Sequence, residues 1–96
     1  VRIRLSAAAR RDLSGIWTYS AERWDEAQAD RYVRLIADGF DRLVKGTARS
    51  RGADDIRPGY FKLAVGSHVV FYRNHASDVI DVVRILHQRM DFDRHL

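Results

Sequence analysis

Histidine is the one side chain in this 96-residue sequence whose ordinary pKa lies near neutrality, and there are four: His68, His75, His87 and His95. With Lys62, Arg73 and Arg84, His87 could serve the cleavage of RNA through its ribose 2′-hydroxyl. That reaction needs a base for the hydroxyl proton, cations for the crowded phosphate and an acid for the leaving oxygen. A plainer reading pairs Arg73 and Arg84 with carboxylates such as Asp78 or Asp81, or with a partner. The histidines lack zinc-finger and HExxH spacing, and His87, Asp91, Asp93 and His95 match no ligand pattern. No metal or other cofactor is therefore expected. Ser67 stands in a turn without a GxSxG elbow, no cysteine exists, and Gly66 belongs to a turn rather than a phosphate loop.

The elements that must position these residues follow from periodicity and caps. Val1, Ile3 and Leu5 alternate with Arg2 and Arg4, which predicts a short strand. Ser6 is an N-cap before Ala7, Ala8 and Ala9. Ala9, Leu13, Ile16, Trp17 and Trp24 then recur at helical spacing, with Arg10, Arg11, Asp12, Glu22 and Arg23 assigned to the other side. This predicts a helix over 7–23, with Gly15 marking close packing. Core packing is the favoured role of Trp17 and Trp24, and Trp24, at the helix end, could instead rim a partner groove. Asp25 and Gln28 form a capping-box pattern. The stripe Ala29, Tyr32, Val33, Ile36, Phe40, Leu43, Val44 predicts a second helix over 26–45, stopped by Gly46. The two helices form an antiparallel hairpin.

Residues 46–58 have no periodicity and read as a long functional or mobile loop. Gly66-Ser67 joins two strands, 60–65 and 68–73, in a hairpin. After a turn at 74–77, residues 79–86 form a β-branched strand, and a tail closes the chain. The order is β-α-α-β-β-β: an α+β domain spanning 1–96, with an antiparallel sheet packed on one face by a helical hairpin.

The Gly66-Ser67 turn fixes a register in which Leu63 faces Val70 and Phe61 faces Tyr72, giving one apolar face for the helices. The other face then carries Tyr60, Lys62, Val69, Phe71 and Arg73. Met90, Phe92 and Leu96 of the tail could cover part of it. The tail is short for a whole face, so this half-apolar, cationic surface is expected to await a partner.

With 17 Lys and Arg against 13 Asp and Glu, the chain is basic and rich in arginine. That suits a nucleic acid, a ribosome or an acidic protein, and equally an ordinary soluble protein. No apolar run is long enough to span a membrane. The lack of cysteine fits a reducing cytoplasm.

Three stretches resemble the ParE branch of the ParE/RelE toxin superfamily: LSAAARRDLSGIWTYSAERW (5–24), RPGYFKLAVGSHVVFYR (57–73) and VVRILHQRMDFDRHL (82–96). The resemblance implies the toxin of a type II toxin–antitoxin pair. Such a toxin inhibits DNA gyrase by binding, is neutralised by a ParD-like antitoxin, and meets operator DNA only through that antitoxin. It implies no enzymatic activity. The alternative on the same fold is a RelE-like mRNA endoribonuclease. Lys62, Arg73 and Arg84 partly mirror that nuclease set, but its C-terminal tyrosine has no counterpart, His87 being nearest. The carboxylates of DFDRHL also oppose a polyanion there. No gyrase-contact motif transfers, so the residues themselves supply candidates. Trp24, Tyr60, Lys62, Phe71 and Arg73 are assigned to the antitoxin, and Arg84, His87, Arg89, Arg94 and His95 to the target.

Overall fold

The computed structural model describes residues 1–76 and 78–96. Strand β1 (Arg2–Leu5) leads into helix α1 (Ala7–Arg23) and helix α2 (Glu26–Lys45). A two-residue strand β2 (Arg51–Gly52) follows, then β3 (Phe61–Val65), β4 (His68–Ala76), β5 (Val79–His87) and a short helix α3 (Phe92–His95). The α+β class and the helical hairpin are as the sequence predicts.

The caps explain the helix ends. Ser6 Oγ accepts from the Ala9 N–H at 3.0 Å, and Asp25 Oδ1 accepts from the Gln28 N–H at 2.7 Å. Gly46 closes α2 at φ 74°, a left-handed conformation that costs glycine little. Gly66 is required twice over. Its φ is 57°, and a Cβ there would lie 2.8 Å from the Tyr32 hydroxyl.

The sheet order is β1-β5-β4-β3-β2. The β3–β4 register is the predicted one, with Leu63 opposite Val70 and Phe61 opposite Tyr72. The sheet differs from the expectation in its edges. β1 runs parallel to β5, a pairing between distant segments that alternation alone does not specify. β2 adds a fifth strand within the supposed loop. β4 continues through Asn74, His75 and Ala76 where a turn was predicted; Ser77 lies outside the described residues.

A bulge explains why β5 is apolar on both parities. Phe71 pairs with Arg84 but Tyr72 pairs with Val82, so Val83 is the extra residue. The phase shifts there. Ile80, Val82 and Ile85 face the helices, while Asp81, Arg84 and Leu86 face away. Between helices and sheet lie Ile36 of α2 and Val70 and Val82 of the strands, all fully buried, with Leu63, Tyr72 and Ile85.

Past Val82, β5 has no strand partner on the β1 side. Its edge is closed by side chains instead. Ser6 Oγ donates to the Val83 carbonyl at 2.6 Å, and the Asp12 carboxylate accepts from the Ile85 N–H at 2.9 Å. Gly15 faces open space, not a close contact.

Candidate interaction surfaces

Phe71 is fully buried, which corrects its assignment as an exposed antitoxin anchor. A second core forms around it from Ala53, Val69 and Leu86, with Ile56, Tyr60, Phe92 and Leu96 packed against it. Phe92 meets Phe71 edge to face at 4.8 Å between centroids. The tail alone does not cover the face. The 53–60 loop supplies the rest of the cover over Phe71.

Two arginines pin the tail. Arg57 Nη2 donates to the Asp93 and Leu96 backbone oxygens at 3.2 and 3.1 Å. Arg84 Nη1 donates to the His95 carbonyl at 2.8 Å. Cationic donors on the last carbonyls of a short helix satisfy groups that otherwise lack partners.

Arg84 also grips Asp12 with a two-pronged contact, Nε to Oδ2 at 2.8 Å and Nη2 to Oδ1 at 2.9 Å. Its side chain is only 23% exposed, and the Asp12 hydrogen bond pushes its pKa up. Arg84 is therefore a clamp between α1, β5 and α3, not a free cation at the target edge. Asp12, placed by the sequence reading on the solvent side, faces the sheet. Residues 9, 12, 13 and 16 share one helix face, which is the signal that could have found it.

The other sheet residues stay accessible. The Arg73 guanidinium lies 6.0 Å from the centre of the Tyr60 ring. Lys62 is half-buried beside Phe71. Asp81, nearly buried, accepts from Arg4 at 2.6 and 3.0 Å, with His75 at 3.4 Å and Arg73 at 3.9 Å. The Arg4 hydrogen bond leads in holding the Asp81 carboxyl below its ordinary pKa.

His87 rims a cleft of about 430 Å³ between α1 and the ends of β4 and β5, with Tyr19, His68 and Met90. Its Nδ1 accepts from the Arg89 N–H at 3.1 Å, and its ring meets His68 at 5.3 Å. His68 Nδ1 lies 2.6 Å from the Tyr32 hydroxyl, which also accepts from the Ser67 N–H at 3.0 Å. Burial, followed by the neighbouring His87, lowers the His68 pKa. Arg89 and Arg94 are exposed, Arg94 lying 3.7 Å from Asp91. His95 is half-buried and lends only its carbonyl to Arg84. Among the described residues no cluster of three or more histidines or carboxylates could hold a metal.

Large exposed apolar groups lie mainly on the helical side. Tyr19 is 62% and Trp24 61% exposed, so of the two readings of Trp24 the structure excludes core packing and leaves the ring free at the helix end. As C-cap it leaves the helical path, and Arg23 lies 5.6 Å from its ring. Trp17 is half-buried, its Nε1 donating to Asp30 at 2.8 Å, and it lines a groove of about 370 Å³ with Leu5, Leu13 and Val33.

Residues 3–92 match the family described as the ParE toxin of the type II toxin–antitoxin system parDE. The chain is 47% identical over 95 residues to toxin ParE1 of Mycobacterium tuberculosis, covering 99% of this chain and 97% of that protein. It is 39% identical over 93 residues to toxin ParE1 of Caulobacter vibrioides, covering 97% and 95%. In fold it is similar to a chain from the chromosomal ParDE system of P. aeruginosa, with a TM-score of 0.78, 19% identity and coverage of 91% and 95%. A YafQ mutant from E. coli superposes with a TM-score of 0.57 at 13% identity, covering 90% and 91%. Among the described residues no helix is long and apolar enough to cross a membrane.

Proposed function

The chain belongs to the ParE family of type II toxins, and we propose that it acts by binding and inhibiting DNA gyrase, held in check by a ParD-like antitoxin. The observation that carries a binding mode of action is the state of Arg84. In a nuclease, Lys62, Arg73, Arg84 and His87 would have to converge on one phosphate. Arg84 is committed to Asp12 and the His95 carbonyl. It stands across Phe71 from Lys62, two strands away or roughly 10 Å, with Phe92 seated on Phe71 between them. The tail thus occupies the space that a scissile phosphate would need.

The antitoxin would grip the helical hairpin. With Phe71 shut away, the exposed aromatic anchor of the hairpin is Trp24, and half-buried Trp17 lines the groove with Leu13 and Val33, while Tyr19 lines the His87 cleft instead. Aromatic anchors beside a groove suit an amphipathic segment. The target edge would be Arg89, Arg94 and the rim of the His87 cleft, the parts of the C-terminal region left in solvent. The protein would work in the cytoplasm, where gyrase is.

The test is purified toxin with gyrase and relaxed plasmid. Inhibited supercoiling or accumulated cleaved DNA, relieved by the antitoxin, is the expected result. Unimpaired gyrase together with cleaved mRNA would overturn it.

A further inference from the structure

The loop and tail cover the sheet's outer face only around Phe71, Val69 and Leu86, and the strand residues left beyond that cover are lopsided in charge. The pairing Arg2 with Val79, Arg4 with Asp81, Arg73 with Asp81 and Arg51 with Lys62 sets these side chains on the face away from the helices. Arg2, Arg4, Arg73 and Arg51 are exposed and Lys62 is half-buried. Among the described strand residues of this face, Asp81 is the lone carboxylate. Its side chain is 12% exposed and already shared by Arg4, His75 and Arg73. The other carboxylates of this side, Asp54, Asp55, Asp91 and Asp93, belong to the covering loop and tail, so positive charge prevails on the strands themselves.

We propose that this outer face binds the phosphate backbone of duplex DNA. The cations stretch from β1 to β2 across five strands, about 19 Å at ordinary strand spacing. A duplex offers one charge per roughly 1.7 Å of axis, so a field this broad meets several phosphates at once. Arginine is suited to them because its planar fork matches phosphate oxygens. An acidic peptide fits less well. It would need an apolar pocket for an anchoring side chain, and the apolar part of this face is sealed beneath Phe92 and Leu96. No residue here reads bases, so binding would be independent of sequence.

This goes beyond gyrase inhibition and is tested without gyrase. Binding of a fluorescent 20-base-pair duplex to the isolated toxin is followed by anisotropy over a range of salt. A log–log salt slope near −3 is expected, since about three phosphates contribute roughly −0.9 each. The paired substitution Arg2→Glu with Lys62→Glu should weaken binding at least about tenfold and make the slope shallower by about two. The pair Arg10→Glu with Arg34→Glu, on the helices, changes net charge equally and should cost less than about threefold if location matters. Arg73→Gln is a milder probe and should also weaken binding. Thermal melts check that each variant is folded. Equal weakening by the two pairs, or no binding of the duplex by the unaltered protein, would overturn the proposal. Capture of a labelled polyglutamate peptide in place of DNA would assign the face to an acidic polypeptide instead.

Discussion

On one side of the sheet, Val70 and Val82 lie beneath helices of 17 and 20 residues, against Ile36 of the second helix. On the other, Phe71 and Leu86 lie beneath a four-residue helix and an irregular loop. The helical cover has its own caps, its own turn and a continuous apolar stripe, so each part supports the next. The second cover joins a loop braced by its own turns, as in the Ala53 N–H to Tyr60 carbonyl bond at 2.8 Å, to a tail with one short helix. The tail is held by the Phe92–Phe71 contact and by Arg57 and Arg84 on three backbone oxygens. The comparison teaches that a face closed in the folded protein need not be closed with equal strength. Local opening is drawn from regions with few buried contacts.

The largest expected effect lies under the helices. Ile36→Ala removes a fully buried side chain and should cost about 2–5 kcal/mol, read as a fall in the urea midpoint at unchanged slope. Asp12→Ala strikes the joint between the two covers. It leaves Arg84 partly buried without its carboxylate and the Ile85 N–H without its acceptor, at a cost of about 2–4 kcal/mol. Asp12→Asn keeps an acceptor and should be milder in the same melt. Phe92→Ala touches only the second cover. Loss of the edge-to-face contact and half-buried ring should cost about 1–2 kcal/mol, with the helical amides as protected as before.

A smaller effect depends on pH. The folded protein holds the His68 pKa below its unfolded value near 6.5. Folded His68 therefore resists protonation more than unfolded His68 does. The stability this contributes is complete above about pH 6.5 and is lost as pH falls through the folded pKa. A His68→Gln variant should lack that part of the decline when melts are compared from pH 7.5 to pH 5. Smallest of all, Gly15→Ala should raise stability by about 0.5–1 kcal/mol, because a Cβ there meets nothing and the helix loses a flexible residue.

The same division governs what the sequence reveals. The helical cover is legible because its signals are local: Ser6, Asp25 and Gly46 mark helix ends, and Gly66-Ser67 fixes a register. The second cover is not. The Arg57 contact with Leu96 spans 39 positions, and the Arg84 contact with Asp12 spans 72. No periodicity announces such pairings. The phase shift at Val83 was visible only as an unexplained excess of apolar residues in β5. The candidate surface was legible in charge, since Lys62 and Arg73 do remain accessible, but not in its apolar half. Phe92 and Leu96 were foreseeable as a partial cover of Phe71, but nothing in the pattern of residues 46–58 ties Ala53 and Ile56 to it. Spacing left Trp24 between core and partner groove, because periodicity cannot show that a C-cap turns off the helix.

Hydrogen–deuterium exchange on the unaltered toxin and on Phe92→Ala tests the unequal covers most directly. The expected result is faster exchange in the 53–60 loop and the 88–96 tail of the variant, with α1, α2 and β1 unchanged. Uniform acceleration through both helices and the tail would contradict it, since the two covers would then open as a single unit.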